Sequence, residues 1–390
     1  MNGSRDIRPP SLVLNAVPLE FDRQAPLRVV RLPYEGHEAL SELRNKLRGV
    51  CVVRRHGNQV EVVATTPGAD LPGEVEEVSA GNVTGLVTDL LSEWLIKHFV
   101  ALSRRVYRRK GTLILVSEKA EDELLRQALP QGFSAPSWLG LRASYRFAAR
   151  VERLHGRSRV LLTIDAFARP CIDASVAELL ALGVPVEGLY VQRPNPDNDP
   201  RLADGGRLTG QVTHAAEGKL ELTDHEDGWP TIKADQATLE PRMEVLAHVL
   251  ASIRGNPAGA PSMLEQLRTA VGGIAVGNER LGRLRSLATY LQRQTVVFAP
   301  GISGKFGSLV ASEQSCPSHE IVTKPALIFD TGGSRTNRWN QGGLDQHGPF
   351  DRYQFNPKCL NIAVICRADL QGRVEQFVEQ LLHGIPGGHR

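Results

Sequence analysis

Several things are scarce in this sequence. No apolar run approaches the roughly 18 uncharged residues that a membrane-spanning helix needs. The opening residues, MNGSRDIRPPSLVL, have no basic segment followed by an apolar core, so no secretory signal is read there. Cysteine is sparse and odd in number: Cys51, Cys171, Cys316, Cys359 and Cys366 are widely scattered. That argues against a disulfide framework and for a reducing compartment, with the cytoplasm as the expected location. Lysine is scarce beside arginine, and arginine suits planar, bidentate phosphate contacts. The net charge of +3 is too small to identify a nucleic-acid partner by itself. No internal repeat or low-complexity tract is found. What is present is the balance of a folded soluble protein: 390 residues, 41% apolar and 23% charged. That length suits about two or three domains.

Alternation predicts two strands within 11–33, a helix over 36–48, and a hairpin around His56-Gly57-Asn58. Residues 70–82 read as loop. A buried helix is expected over 83–102, a strand over 104–117 and a short helix over 120–129. Long strands flank a turn at His155-Gly156, and the helix 175–183 ends at Gly183, as left-handed caps do. Strands follow within 188–194 and at 207–213, 219–223 and 230–234. Helices at 242–254 and 262–293 come next, the second with glycines at 272, 273 and 277 that can break it. Strands at 295–299, 326–330 and 360–366 precede a last helix, 370–383. The order predicts a multi-lobed α+β chain: a β-rich N-terminal lobe, linker β-hairpins with a helical stretch, then the start of an α/β unit. Boundaries are drawn at 1–136, 137–240, 241–323 and 324–390.

No complete catalytic motif emerges. Pro300–Ser308 looks like a phosphate loop, but its first glycine is too close to Gly304-Lys305, and Phe306 stands where Ser or Thr would hold magnesium. A mobile glycine loop is the simpler reading. Cys316 and His319 offer two zinc ligands where a structural site wants four. Asp224, Asp227 and Lys233 could serve a metal-dependent nuclease, although Thr231 occupies the position of an expected acid. A turn between strands explains that segment as well. Basic clusters remain: Arg104, Arg105, Arg108, Arg109 and Lys110; Arg153, Arg157 and Arg159 around a hairpin; Arg280, Arg283, Arg285 and Arg293 on a helix; Arg335 and Arg338 beside glycines. A buried strand face cannot hold arginines unpaired, so 104–110 must lie on an edge or line a groove. Arginines spread over several elements would suit a phosphate backbone.

Three passages carry a resemblance. Lys324–Asp330 followed by Gly343–Asp351 resembles the "P-x-L-x-F … G-L-x-x-x-G-P-[FY]-D" passage before the MID domain of prokaryotic Argonautes. Leu360–Ile365 with Gly372–Phe377 is similar to the first MID strand and helix. Ile232–Pro241 resembles the "A-x-L-E-P" passage after the PAZ position, also found in the APAZ region of proteins paired with short Argonautes. Leu161–Asp165 is similar to the first linker. The resemblance implies an N-like domain (1–136), a first-linker or APAZ-like region (137–240), a helical second linker (241–323) and the opening of MID (324–390). It implies no PAZ and no PIWI nuclease. The expected function is then a non-catalytic scaffold without cofactor or metal. It would complete the guide–target channel of a MID–PIWI partner, with no membrane role, in defence against invading DNA. The nine arginines and one lysine at 104, 105, 108–110, 153, 157, 159, 335 and 338 are the expected phosphate contacts. Val374, Phe377, Val378 and Leu381 are the expected partner surface. Two other readings stay open: the nuclease above, and a pure assembly subunit.

Overall fold

The structure, a computed structural model, describes residues 15–109, 111–117, 123–129, 133–154, 157–194, 207–226, 228–275, 277–310, 325–348, 363–366 and 371–383. It is a mixed α+β chain that divides into two units: Met1–Gln314 with Arg367–Arg390, and Ser315–Cys366.

The first unit opens with β1 (Ala16–Phe21), β2 (Pro26–Pro33), α1 (His37–Lys46), β3 (Cys51–His56), β4 (Gln59–Ala64), β5 (Val75–Ser79) and α2 (Thr84–Ala101). β2 to β5 form an antiparallel sheet in the order β3-β4-β2-β5. Both faces are apolar at alternate positions, so both are covered. Val30, Val60 and Val62 pack with Leu40 and Leu47 at α1. Val29, Val52 and Val63 join the main core with Leu86, Leu90 and Leu95 of α2. α2 is apolar around most of its circumference because it lies between two sheets. Leu86, Leu90, Leu91, Leu95 and Ile96 are all at most 1% exposed.

The second sheet draws on distant sequence. β6 (Val106–Arg109), β7 (Thr112–Val116), β8 (Leu139–Leu154) and β9 (Arg157–Ile172) are joined by β1 and by β15 (Thr295–Ala299) and β16 (Ile302–Phe306). The order is β15-β16-β1-β9-β8-β7-β6, so one sheet crosses the boundaries drawn at 136/137 and 240/241. The helix α3 (Glu123–Ala128) packs near β8. α4 (Val176–Ala181) starts at a reciprocal Ser175–Glu178 capping box and ends before Gly183, at φ 73°. A third sheet, β13-β12-β11-β10-β14, follows. Its strands are β10 (Tyr190–Arg193), β11 (Arg207–Ala216), β12 (Lys219–Thr223), β13 (Thr231–Lys233) and β14 (Thr238–Leu239). Helices α5 (Met243–Ile253), α6 (Ala260–Ala275) and α7 (Gly277–Gln292) complete the run.

The second unit holds β17 (Leu327–Ile328), β18 (Thr336–Asn337) and α8 (Asn340–His347); α9 (Gln371–His383) belongs to the first unit. Four expectations need correction. Residues 75–79 are a strand, not loop, because Pro26–Val30 offers them a paired edge. The expected strand 104–117 is a tight hairpin, since Gly111 at φ 75° turns it. The expected glycine loop at 300–308 is a β-hairpin turned at Gly301, φ 76°, which puts exposed Lys305 opposite Glu20 and Thr295. The helix expected at 262–293 divides before Gly277, one of the glycines that can break it. Of the strand expected at 360–366, Ala363–Cys366 are irregular and exposed, and the rest lies outside the described residues.

Candidate functional site

β8 and β9 pair over sixteen consecutive positions without a bulge, from Leu139↔Ile172 to Leu154↔Arg157. Side-chain parity therefore never slips, and every second residue faces the same way. One face carries Leu141, Ala143, Phe147, Val160, Leu162, Ile164 and Ala166 into the main core. The opposite, outer face carries Arg142, Arg146 and Arg150 on β8. Across from them on β9 it carries Arg169 opposite Arg142 and Arg159 opposite Glu152. From Arg142 to Arg150 this stripe runs about 26 Å, the rise of roughly eight base pairs.

The stripe is graded. Arg142 is 5% exposed and lies 3.8 Å from Asp173, whose other oxygen is 3.2 Å from Arg105. The Arg169 guanidinium sits 4.4 Å above the Tyr107 ring, and Arg146 sits 5.0 Å above Phe167. Tyr107, Ile114, Val116, Cys171 and Phe167 form a small apolar cluster under them. Burial pushes the Cys171 thiol up, although Arg142 and Arg169 pull the other way. Arg146, Arg150 and Arg159 are exposed. Of the two carboxylates on this face, Glu152 and Asp165, the second is taken by Arg280 of α7 at 2.7 Å.

The residues singled out from sequence lie on several elements and in both units. Arg104 and Arg105 precede β6, the edge strand of the sheet. Arg108 pairs with Leu113 in a row that continues to Phe147, so it faces the core side. There it lies 3.9 Å from the buried Glu93 of α2. Arg109 lies in β6, with its side chain outside the description; the side chain of Arg157 and all of Lys110 are outside it too. Arg153 is exposed but pairs with Ser158, on the face opposite the stripe. Arg335 and Arg338 are exposed in the second unit. Arg142, Arg146, Arg150 and Arg169 were missed. Their signal was the spacing of four along a strand, which keeps all three β8 arginines on one side.

On α9, Val374 and Val378 are half-buried while Phe377 and Leu381 are 61% and 56% exposed. Glu375 makes a two-pronged pair with Arg55 of β3, at 2.5 and 3.0 Å, and Arg55 stacks 3.7 Å above Tyr34. The Arg55 guanidinium holds the Glu375 carboxyl below its usual range. Of the expected nuclease grouping, the two described members, Asp224 and Lys233, lie apart. Asp224 follows the end of β12 and accepts the Tyr190 hydroxyl at 2.9 Å, whereas Lys233 lies opposite Lys219 at that strand's start. The two are about 16 Å apart along the strand, too far for the lysine to polarise a water on an ion held by Asp224. Asp227, Cys316 and His319 lie outside the described residues. Among the described residues, no three His, Cys, Asp or Glu side chains group as a metal site, and no helix is long and apolar enough to cross a membrane.

No protein-family model matches the chain. Over 381 residues, 96% of its length, it is 24% identical to a protein argonaute of Cereibacter sphaeroides. It covers 47% of that protein, so the chain spans about half the length of the curated relative it matches. Among solved structures, Clostridium butyricum Argonaute bound to a guide DNA and a 19-mer target DNA is similar with a TM-score of 0.49 at 11% identity, over 82% of this chain and 47% of that one. Marinitoga piezophila Argonaute in complex with guide RNA is similar with a TM-score of 0.36 at 12% identity, over 73% and 39%. The sequence similarity, running through nearly the whole chain, bears out the Argonaute likeness read from its short passages.

Proposed function

We propose that this chain is a nucleic-acid-binding part of an Argonaute-type system. In this reading it grips the phosphate backbone of a guide–target duplex and contributes no catalytic group. It completes the channel of a MID–PIWI partner, acts in the cytoplasm and serves defence against invading DNA. The observation that carries the reading is the outer-face stripe of Arg142, Arg146, Arg150, Arg159 and Arg169. Arginine forks match phosphate oxygens, and contacts of this kind need charge and position but no base readout. The gradient of burial gives the stripe two jobs. Arg142 and Arg169, held by Asp173 and Tyr107, stiffen one end. Arg146, Arg150 and Arg159 stay open to a ligand.

The test is a salt series on duplex binding by the full chain, comparing the wild type with Arg146→Glu/Arg150→Glu. Losing two phosphate contacts should lower the log–log salt slope by about 1.8 and weaken binding roughly 60-fold near 0.1 M salt. An unchanged slope and affinity would remove the stripe from the binding surface, and the reading with it.

A further inference from the structure

The sheet of β2 to β5 borders a cavity away from the arginine stripe. Arg54, Glu61 and Arg31 form one cross-strand row, and His56 opposite Gln59 lies in the next row on the same face. Deeper in the sheet that face carries Val29, Val52 and Val63, which α2 covers. The polar rows meet α2 at its first turn, where Arg54 donates to the Gly85 carbonyl at 2.6 Å and pairs with Asp89 at 2.9 Å. The stretch from β5 to α2 forms the other wall. Its Ala80 and Gly81 N–H groups donate to the Ala25 and Arg23 carbonyls at 3.0 and 2.8 Å, and Asn82 N–H donates to Ser79 at 2.9 Å. Between the walls lies a cavity of about 580 Å³, lined by Arg31, His56, Gln59 and Glu61 on one side and by Val78 and Asn82 on the other. Its charges are matched inside the protein. Glu61, 4% exposed, lies 3.6 Å from both Arg31 Nε and His56 Nδ1, and Arg31 also pairs with Glu76. Glu77 adds a further carboxylate to the lining. Gln59 and Asn82, one from each wall, are exposed.

We infer that this cavity takes one unpaired nucleobase, adenine in preference. The inference rests on the nucleic-acid reading above and goes beyond it, from backbone contact to base readout. The volume suits a small flat ligand. A guanidinium and an imidazole are planes on which a base can stack, and Glu61 restrains both from behind. Carboxylates beside the one arginine make the cavity a poor place for a phosphate, unlike the arginine stripe. The two carboxamides set the preference. Each offers a donor beside an acceptor, and adenine presents its N6 amino group beside a ring-nitrogen acceptor on both of its edges. Glu61 is here a positioning residue, and Gln59 and Asn82 touch the base.

The experiment titrates the full chain with AMP, GMP and ribose phosphate, and with a thymine strand that has or lacks one central adenine. AMP should bind more tightly than GMP by roughly 5- to 150-fold, the worth of a good bidentate contact, and ribose phosphate should not saturate. Gln59→Ala and Asn82→Ala change exposed side chains, so both should fold with unchanged melting temperatures. Each should weaken AMP roughly 2- to 12-fold, the worth of one hydrogen bond. A gain from the single adenine that AMP competes away places a strand's base in the cavity; AMP binding without that gain makes the occupant a free adenine nucleotide. No binding of AMP beyond that of ribose phosphate, or AMP binding untouched by both variants, overturns the inference. The broader reading fails differently: Arg146→Glu/Arg150→Glu would then leave duplex binding intact. If that variant loses duplex binding while AMP does not bind, the cavity's role alone falls.

Discussion

Arg108→Ala separates an arginine that holds the fold from arginines that face outward. Arg108 Nη2 is 3.9 Å from Glu93 Oε2; the Arg108 side chain is 40% exposed and that of Glu93 6%. At this separation two unit charges attract by about 4 kcal/mol at an effective dielectric of 20. The exposure of Arg108 and the ordering of its long side chain reduce the net to roughly 1–2 kcal/mol. The expected result is a melting temperature lowered by about 2–6 °C. The salt slope of duplex binding should not move, because the guanidinium points toward α2. Thermal melts and a parallel anisotropy series decide the matter. An unchanged melting temperature together with a slope reduced by about 0.9 would make Arg108 a phosphate contact and refute the assignment of faces.

Further expectations concern other parts of the molecule. His98 is stacked on Trp94 at 4.7 Å and bonded to the Tyr290 hydroxyl at 2.6 Å, and burial holds its pKa below the ordinary value of 6.5. The unfolded chain therefore takes up a proton near pH 6.5 that the folded chain resists, so this contribution is complete above that pH and is lost as pH falls below it. Melting temperatures between pH 7.5 and 5.5 should fall less in His98→Gln than in the wild type, and an equal fall would exclude His98 as the cause. Glu375→Gln removes the charge facing Arg55; hydrogen exchange in 371–383 should speed up while the global melt shifts by no more than about 1 kcal/mol equivalent, the usual worth of an exposed pair. Unchanged protection there would mean that the apolar contacts of α9 hold it alone. Gly343→Ala drives a methyl into Phe329 and should cost the second unit about 1–3 kcal/mol, seen as early proteolysis within 325–348; wild-type resistance would show that the ring can move aside.

Much of the architecture was legible because local pattern and tertiary role agree. The alternation in 139–172 and the glycine at 156 predict a long hairpin, and the structure pairs it over its whole length. α2 could be read as buried from its apolar circumference, although not that two sheets enclose it. β16 was hidden because glycines and a lysine obscure its period; only pairing with β1 and β15 makes it a strand. The site was harder. Density of charge along the sequence drew attention to 104–110, while the relevant quantity was parity across a sheet. Arg146 and Arg150 share a face by spacing alone, but Arg169 joins Arg142 only through the register of β9. Nor could sequence say which side of β6 meets α2, and that decides the role of Arg108.

β1 lies between β9 and β16, paired with Val160–Thr163 on one side and Gly304–Phe306 on the other. β1 is thus completed only by residues about 280 positions later. At about 5–20 residues per second, roughly 15–55 s of synthesis separate the two. During that interval one margin of β1 has no companion, and its amides are open to strands of other nascent chains. The local β8–β9 turn can zip early, whereas closure on β16 must come last and sets the pace. Refolding from denaturant should accordingly be slow and sensitive to protein concentration, with the gap beside β1 as the point where misassembly begins.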